Sequence, residues 1–344
     1  MNILFTCVGK RNYLINAFKE VLSGDGLIIA CDASYAAPAL YEADLGFIVP
    51  KIQESNYLDS LLAICKENKV NLLISLHDLD LPKIAENRDK FLQIGTFPLI
   101  SSHEIINICF DKWKTYQYFA NNGILTPLTF KSIRDAQLAL EVGSITFPLV
   151  IKPRWGSASI GVEIVWDEIE LNHAYAFIKS KISRSILKEI SSTDNEHCLL
   201  VQQCIQGEEL VLDVLNDMEG DTREVFVKRK LSNPAEGADR IITIRNEGVK
   251  QLGLKIGNVL RHIGNLDCDV MLTADGIYLL ECNPRFGGGF PFTYISGVNI
   301  PLAIISWIKG IEPPVNWNNE RVNVVFSKTE RLIECNTENK ILVL

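Results

Sequence analysis

The sequence predicts an α/β fold, and two observations support this prediction. The first hundred residues alternate short apolar segments, typical of buried strands, with longer segments of helical character. The chain has 344 residues, 47% of them hydrophobic and 8% aromatic, which is enough to build a large core in two or three domains. Strands that alternate with helices indicate a parallel sheet with right-handed crossovers. We therefore expect an N-terminal parallel α/β domain followed by further domains.

The first domain is predicted over residues 1–100. Its predicted strands are NILFTCV, GLIIACD and VNLLISL, and its predicted helices are RNYLINAFKEVL, NYLDSLLAICKEN and LPKIAENRDKFL. The first turn, CVGKRN, lacks the GxGxxG pattern of dinucleotide sites. We therefore expect a Rossmann-like layer with a structural or substrate-facing use rather than a nicotinamide site.

The pattern changes after residue 100, and a second region is predicted over residues 101–195. A helix over DKWKTYQYFANNG has Asp111 as its candidate N-cap, and Gly123 as its candidate end. The segment FPLVIKPRWGSASIGVEIV predicts two strands that flank a small-residue loop, residues 154–160. A long helical stretch is predicted from there to about Ile190.

A third region is predicted over residues 196–312, and a tail over residues 313–344. Strands are predicted in CLLVQQCIQGEELVLDVLND and REVFVKRKL, and a helix over residues 248–262. The segment LDCDVMLTADGIYLLECN predicts a hairpin that turns at residues 274–276. We expect the tail to form a short strand pair or an arm.

Composition argues against several classes of partner. The 34 basic and 42 acidic residues give a net charge of −8, and no Lys/Arg run marks a nucleic-acid-binding arm. No signal peptide and no apolar segment of membrane-spanning length is evident. Nine cysteines without a CxxC pair favour reduced thiols, and the five histidines form no zinc pattern. We therefore expect a cytoplasmic protein that binds neither nucleic acid nor membrane.

The loop GSASIG matches only the first half of a P-loop. Val162 and Glu163 stand where that motif needs Lys and Ser/Thr, and two predicted strands flank the loop instead of a strand and a helix. The loop could be an ordinary turn. Alternatively, its backbone N–H groups could fold over phosphates, with Lys152 as a nearby cation.

The segment VQQCIQGEEL places a carboxylate, Glu209, seven residues beyond Gln202 and across a glycine. This carboxylate could accept hydrogen bonds from two ribose hydroxyls, while the backbone at Gln203 and Ile205 could contact an adenine edge. Taken alone, the segment is better explained as a solvated strand end.

The predicted hairpin and the residues after it carry oxygen donors and a cation. Asp269 lies on the first strand, and Glu281, Asn283 and Arg285 follow at alternate positions, so that the last three share one face. Two carboxylates and an amide suit Mg²⁺, which also takes phosphate oxygens. The glycines at 287–289 would let the backbone approach a substrate without side-chain interference.

In their order along the chain, these features resemble the ATP-grasp superfamily. The similarity is strongest to stand-alone proteins that resemble one ATP-grasp unit of the carbamoyl-phosphate synthase large subunit. It rests on DK at 111, FPLVIKP at 147, GEE at 207 and ECNPRFGGG at 281. The resemblance implies an ATP-grasp fold with an N-terminal Rossmann-like pre-grasp domain, a small subdomain over residues 101–195 with a phosphate-covering loop, and a C-terminal subdomain over residues 196–312 with the metal site.

The resemblance also implies roles for single residues toward ATP. Lys112 and Lys152 would bind phosphates, and the 154–161 loop, with Ser157, would cover them. Gln202 would face the adenine amino group, together with the backbone of Gln203 and Ile205, and Glu209 would bind the ribose. Many relatives have Glu where Gln202 stands, which is a departure from the pattern. One residue of VKRK, over residues 227–230, would add a phosphate cation.

For the metal and the chemistry, the resemblance implies two Mg²⁺ ions, which Mn²⁺ could replace. Asp269 and Glu281 would hold one ion, and Glu281 and Asn283 the other. Arg285 would steady the transferred phosphoryl group as the catalytic residue. Arg154, Trp155 and Tyr294 are further candidates for acceptor contacts, but a packing or surface role would explain each of them equally well.

The implied activity is that of an ATP-dependent carboxylate–amine ligase, which acts through an acyl phosphate and releases ADP and phosphate. Its partners would be a small-molecule carboxylate and amine, and a homodimer is an open option. Two alternatives remain: phosphorylation of bicarbonate or carbamate, and a nucleotide-binding regulator without chemistry. Adenine binding alone would not require Glu281, Asn283 and Arg285 together, which argues against a regulator. The sequence does not identify the two substrates.

Overall fold

A computed structural model describes residues 1–157, 160–231, 240–329, 331–335 and 341–343. The chain divides into two compact units, neither of which is continuous in sequence. Unit 1 comprises Met1–Ile106, Val211–Asp267 and Asn283–Leu344, and unit 2 comprises Asn107–Leu210 and Cys268–Cys282. Each unit is therefore described by itself.

The strands of the described chain are, in order, β1 Ile3–Thr6, β2 Ile28–Asp32, β3 Leu45–Ile48, β4 Leu72–Ser75, β5 Phe97–Pro98, β6 Thr129–Phe130, β7 Leu149–Pro153, β8 Glu163–Val165, β9 Leu199–Gln203, β10 Glu208–Asn216, β11 Thr222–Lys230, β12 Arg240–Ile244, β13 Gly264–Leu272, β14 Ile277–Asn283, β15 Val325–Ser327 and β16 Ile341–Val343.

The α-helices are α1 Asn12–Leu22, α2 Tyr57–Glu67, α3 Asp80–Glu86, α4 Arg88–Gln93, α5 His103–Phe110, α6 Lys112–Asn121, α7 Ile133–Glu141, α8 Glu168–Ile182, α9 Lys188–Ser192, α10 Glu247–Leu260, α11 Phe290–Ile295 and α12 Ile300–Ile308. Short 3₁₀ helices lie at Pro38–Tyr41 and Val315–Trp317. No helix in the described ranges is long and apolar enough to cross a membrane.

Unit 1 contains the predicted parallel sheet, in the order β16-β3-β2-β1-β4-β5. Strand β1 is central, with Ile3 paired to Ile28 on one side and to Leu72 on the other. This confirms the predicted α/β class and the parallel N-terminal layer. Strands β3, with four residues, and β5, with two, were not predicted.

The predicted helix LPKIAENRDKFL is interrupted in the structure. It forms α3 and α4, which are separated at Asn87. The Asn87 side chain donates a hydrogen bond of 2.9 Å to the carbonyl of Lys83, and such local side-chain bonds compete with a continuing helix. The apolar spacing alone does not reveal this break.

Both faces of the parallel sheet are buried, as parallel sheets require. Ile3 and Phe5 belong to one core cluster of unit 1, and Leu4, between them, belongs to a second. The first cluster includes Phe18 of α1, whose ring lies 5.1 Å from that of Phe5 and 5.9 Å from that of Phe286. The segment after β14 is thereby anchored in the core of unit 1.

Unit 2 contains an antiparallel sheet in the order β6-β9-β7-β8. Strands β7 and β8 pair with Leu149 opposite Val165, so the predicted strands on either side of the GSASIG loop are confirmed. The long helical stretch predicted up to about Ile190 is two helices, α8 and α9. The residues between them, 183–187, form turns instead.

A further sheet has the order β14-β13-β10-β11-β12-β15, and the division between the units falls within β10, β13 and β14. The predicted hairpin of β13 and β14 is confirmed, since Thr273 N donates to Gly276 O over 2.9 Å at its turn. In the tail, β15 pairs with β12, whereas β16 extends the parallel sheet beside β3. The expectation of a strand pair within the tail was therefore wrong for these two strands.

Candidate functional site

The start of α6 fixes Lys112. Asp111 caps the helix as predicted: its Oδ1 accepts from Trp113 N at 3.0 Å. The Arg154 guanidinium binds the same carboxylate through two nitrogens, at 2.8 and 2.6 Å, and Arg154 O accepts from Lys112 N at 3.0 Å. Arg154 also binds Asp194 at 2.8 Å. These partners give Arg154 a structural use, and its contact with an acceptor stays a prediction.

Lys112 and Glu281 lie together in unit 2. The Lys112 Nζ atom is 3.5 Å from Glu281 Oε1 and also donates to the carbonyl of Gly156, in the predicted phosphate-covering loop. The Lys112 side chain is only 10% exposed, and that of Glu281 is 23% exposed. The structure thus brings the DK motif, the small-residue loop and the ECN motif to one place.

Lys152 and Gln202 lie on one face of the antiparallel sheet. Lys152 pairs with Leu200, and Val150 pairs with Gln202, so the two polar side chains are diagonal neighbours. Lys152 Nζ donates to Gln202 Oε1 over 2.9 Å, and both residues are 7% exposed. A lysine in such a place is a buried cation with a neutral partner.

The environment of Lys152 shifts its protonation. Burial lowers the pKa of Lys152 to about 8; Glu281 and Asp269 act to raise this pKa, and Lys112 acts to lower it. These opposing effects require the four side chains to lie within electrostatic reach of one another. We call Lys112, Lys152, Asp269 and Glu281 the phosphate cluster, after the role predicted for its lysines.

The structure places the predicted adenine contacts as follows. Both ends of the Gln202 amide have protein partners, since its Nε2 donates to Thr129 Oγ1 at 2.7 Å and its Oε1 accepts from Lys152. Gln203 N donates to Leu128 O at 2.8 Å. None of the hydrogen bonds within the described ranges involves the N–H of Ile205, which is half-buried. The roles of these residues toward adenine stay predictions.

The remaining predicted nucleotide residues are Glu209, near the start of β10, and Ser157, four positions beyond the end of β7. Glu209 is exposed at the second residue of β10, and Ser157 is half-buried beside Ala158 and Ser159, which lie outside the described residues. A side chain at Gly207 would place its Cβ 2.4 Å from the carbonyl oxygen of Leu272. The glycine of the GEE motif is therefore needed for close backbone packing.

The donor set in the phosphate cluster fits Mg²⁺. Asp269 and Glu281 are half-buried and offer only carboxylate oxygens, and the two lysines beside them could share phosphates with a hard cation. Within the described ranges, no group of three or more His, Cys, Asp or Glu side chains could hold a metal. The predicted third donor, the Asn283 amide, is 7% exposed and lies two residues beyond Glu281.

Arg285 is held by two carboxylates in unit 1. Its Nη1 donates to Asp267 Oδ2 at 2.7 Å and its Nη2 to Asp78 Oδ2 at 3.1 Å, while the side chain is 10% exposed. Burial lowers the pKa of Arg285, but Asp78 and Asp267 outweigh this effect and raise it above its ordinary value. Burial also raises the pKa of Asp267, which Arg285 counteracts. We call these three residues the arginine cluster.

Sequence reasoning missed both carboxylates of the arginine cluster. Asp267 had a usable signal, because it alternates with Asp269 in DCD and so shares its face with Asp269. Asp78 had none: it follows β4 and is 207 positions from Arg285. Only the folded structure brings such a pair together.

The three glycines after Arg285 have different surroundings. A Cβ at Gly287 would lie 2.0 Å from the Asp267 carboxylate, and one at Gly289 would lie 3.0 Å from Val211. Nothing lies within 4 Å of the corresponding position at Gly288. Two of the glycines therefore make room for the protein itself, which corrects the simple expectation that all three make room for a substrate.

The VKRK strand contributes a buried ion pair to unit 1. Lys228 is fully buried, pairs with Asp213, and donates to Thr293 Oγ1 at 2.6 Å. Asp213 also accepts from Asn265 Nδ2 at 3.0 Å, and its carboxylate balances the charge of Lys228.

Tyr294, another acceptor candidate, donates to Glu20 at 2.5 Å, and Trp155 is 6% exposed beneath Arg154. Packing therefore accounts for the buried position of Trp155.

Two family models match the chain. Residues 3–100 match the PylC-like, N-terminal domain, and residues 145–292 match the ATP-grasp domain. The second match includes Lys152, Gln202, Glu209, the three residues predicted to bind metal, and Arg285.

Named relatives agree with these matches. The carbamoyl phosphate synthase large chain of Methanosphaerula palustris is 23% identical over 314 residues, which are 87% of this chain and 26% of that protein. The D-alanine–D-alanine ligase of Campylobacter jejuni is 27% identical over 185 residues, 52% of this chain and 51% of that one. The chain thus spans about a quarter and about half of these two relatives.

A solved structure extends the fold likeness over almost the whole chain. The ADP complex of purK, N5-carboxyaminoimidazole ribonucleotide synthetase, has a TM-score of 0.70 at 14% identity and covers 94% of this chain and 80% of that one. Together with the family match over residues 145–292, this agreement shows that the chain contains an ATP-grasp domain and has the ATP-grasp fold.

Proposed function

We propose that this protein is an ATP-dependent carboxylate–amine ligase that works through an acyl phosphate and releases ADP and phosphate. The observation that carries the proposal is the phosphate cluster, in which two buried lysines lie beside two carboxylates. A site for adenine alone would need no such cluster, whereas the transfer of a phosphoryl group needs cations and metal-binding oxygens around the terminal phosphate. The D-alanine–D-alanine ligase relative supports the reaction class.

In this proposal the chain binds and orients its substrates rather than attacking them. Lys152, with a neutral amide as its partner, is available to change that partner for a phosphate oxygen, because its present hydrogen bond carries no opposite charge. Lys112, held at the first residue of α6, would contact the same phosphates and bring the backbone of Gly156 with it. Glu209 is proposed for the ribose hydroxyls.

The proposed metal residues are Asp269, Glu281 and Asn283. When bound, Mg²⁺ would neutralise charge on the terminal phosphates. The carboxylate of Glu281 would exchange its contact with Lys112 for the ion, which frees that lysine for phosphate. Arg285 is proposed to face the transferred group, with Asp78 and Asp267 fixing its guanidinium.

The relative of the carbamoyl phosphate synthase type favours a second candidate, the phosphorylation of bicarbonate or carbamate. This candidate uses the same residues and also releases ADP. The two differ in the acceptor: ADP release that depends on bicarbonate alone would favour the second candidate, and release that depends on an organic carboxylate favours the ligase.

The experiment measures nucleotide products with purified protein, MgATP and a panel of amino acids, singly and in pairs. The proposal predicts ADP and phosphate in equal amounts, and a hydroxamate when hydroxylamine replaces the amine. Oxygen-18 in the substrate carboxylate should appear in the released phosphate, because the bridging C–O bond breaks when the amine attacks. The Glu281→Gln variant is the negative control.

Three outcomes would contradict the proposal. AMP and pyrophosphate would mean that the α-phosphate is attacked. ADP with all of the label retained in the carboxylate product would mean that another group is phosphorylated. Magnesium-dependent ATP binding with no turnover for any acceptor would favour a nucleotide-binding regulator.

A further inference from the structure

Unit 1 contains a polar cavity of about 220 Å³ that none of the proposed nucleotide or metal residues lines. We call it the Glu320 cavity. Its apolar part is formed by three β-branched side chains, Val225, Val227 and Ile244, and its polar part by Glu224, Arg245, Asn246, Lys250, Asn318 and Glu320. The volume is below the roughly 300–1,000 Å³ of sites for drug-sized ligands, so it suits a small metabolite.

Two of the four charges in the Glu320 cavity neutralise each other. Lys250 Nζ lies 2.6 Å from Glu224 Oε1, and the same carboxylate accepts from Val225 N at 2.9 Å and from Asn318 Nδ2 at 3.4 Å. Glu224 is therefore satisfied by the protein. This leaves Glu320 and Arg245 as the charges to be accounted for.

Glu320 has a carboxylate oxygen that the protein leaves unsatisfied within the described ranges. Its Oε1 is enclosed, yet it has no hydrogen-bond partner in the part of the chain that the structure describes. Enclosing a carboxylate oxygen in this way is costly unless a donor is supplied. Burial raises the pKa of Glu320, Lys228 lowers it, Glu224 raises it, and Lys250 and Arg245 lower it, so an additional cation would favour the ionised form.

Arg245 supplies the opposite charge. Its side chain lies at the exposed end of β12, just before α10, and it forms no ion pair within the described ranges. The cavity thus offers one carboxylate and one guanidinium, each available to a ligand, with apolar side chains in the same lining. The complementary ligand carries one cation and one anion on a small frame.

We propose that the Glu320 cavity binds a small zwitterion of amino-acid size, whose ammonium group contacts Glu320 and whose carboxylate contacts Arg245. This site belongs to unit 1 alone and does not depend on the proposed ligase activity. It is separate in its residues from the phosphate cluster, so its ligand binds in the absence of ATP.

The test is calorimetric titration of the full chain, without nucleotide, with glycine, L-alanine, L-valine, β-alanine and γ-aminobutyrate at millimolar concentration. At least one zwitterion should bind. Its N-acetyl derivative, which lacks the cation, and its methyl ester, which lacks the anion, should each bind about tenfold more weakly, because each loses one charge-assisted contact. No binding by any of the five zwitterions would overturn the proposal.

Matched variants assign the two ends of the ligand. Glu320→Gln should weaken binding of the zwitterion about tenfold but leave the affinity for the N-acetyl derivative unchanged. Arg245→Gln should weaken binding of the zwitterion about tenfold but leave the affinity for the methyl ester unchanged. The surface changes Glu141→Gln and Arg134→Gln should have no effect, since both residues are exposed in unit 2. Unchanged affinity in both cavity variants would overturn the proposal. If a variant fails to fold, the wild-type comparison of zwitterion with derivatives still decides.

Discussion

Lys152 and Arg285 are both buried cations that are proposed to face ATP phosphates, but the protein holds them in opposite ways. Lys152, in unit 2, has a neutral amide as its hydrogen-bond partner, and burial lowers its pKa to about 8. Arg285, in unit 1, lies between two carboxylates that raise its pKa. Lys152 therefore has no opposite charge as its hydrogen-bond partner until a ligand supplies one, whereas the charge of Arg285 is already balanced by the two carboxylates.

This difference separates binding from positioning. A buried lysine with a neutral partner gains most from a phosphate, because the phosphate supplies the opposite charge that the protein withholds. An arginine that already has two carboxylate partners gains less electrostatic stabilisation from a phosphate, but its planar guanidinium is held in one orientation. We therefore expect changes in the phosphate cluster to affect ATP, and changes in the arginine cluster to affect stability first.

The largest expected effect is that of Glu281→Gln on activity. Loss of the carboxylate removes the proposed bridging metal donor and should lower ATP turnover at least about a hundredfold. Stability should stay within about 1 kcal/mol, because Glu281 is partly exposed and glutamine has the same shape.

Steady-state ADP formation and chemical denaturation measure the two quantities, with exposed Glu141→Gln as the control. If activity falls only in proportion to the amount of folded protein, Glu281 has a structural role. The proposed difference between the phosphate cluster and the arginine cluster would then be wrong.

The next largest effect is expected from Asp267→Ala. This change leaves the buried Arg285 guanidinium with one carboxylate instead of two, and breaking a buried pair costs about 3–5 kcal/mol of unfolding free energy. Asp78→Ala should act in the same direction. Asp275→Ala, on the exposed hairpin turn, should change stability by less than about 0.5 kcal/mol.

Urea denaturation of the four proteins tests the arginine cluster. Wild-type stability in both Asp267→Ala and Asp78→Ala would mean that Arg285 does not depend on these carboxylates.

The two clusters also differ in how far the sequence could predict them. Lys112, Lys152 and Glu281 lie in short local motifs that resemble a known family, and that resemblance, rather than any local rule, implied that they share one site. Strand alternation and helix caps predicted most of the elements. These signals are local in the chain, and the physical rules that produce them act over a few residues.

What could not be predicted depends on contacts between distant segments. Three such contacts leave no periodic pattern in the sequence. They are the ion pair of Asp78 with Arg285, the close approach of Gly287 to Asp267, and the pairing of β16 with β3. The bond between Lys152 and Gln202 requires the register of β7 against β9, which composition does not give. Tertiary packing decides each of these.

A smaller effect sharpens the lysine side of the comparison. The pKa of Lys152 is about 8 when folded and ordinarily 10.5, so between these pH values the unfolded chain binds more protons. Raising the pH through this window should therefore stabilise wild type relative to Lys152→Met, by at most about 3 kcal/mol.

Denaturation of both proteins from pH 7 to pH 11 measures the difference, with the exposed Lys114→Met as the control. A constant difference between wild type and Lys152→Met would show that the buried amine does not titrate in this window.

The central claim, that the phosphate cluster binds the phosphates of ATP through Lys152, is tested most directly by the pH dependence of nucleotide affinity. Bound phosphates favour the protonated form of Lys152. Above pH 8, where the free protein has lost this proton, binding must therefore be accompanied by proton uptake. The ligand for the measurement is the magnesium complex of a non-hydrolysable ATP analogue. The association constant of wild type should then fall by about tenfold per pH unit above this value. Lys152→Gln should bind more weakly at pH 7 and show no such fall. The same pH profile in wild type and Lys152→Gln would contradict the account.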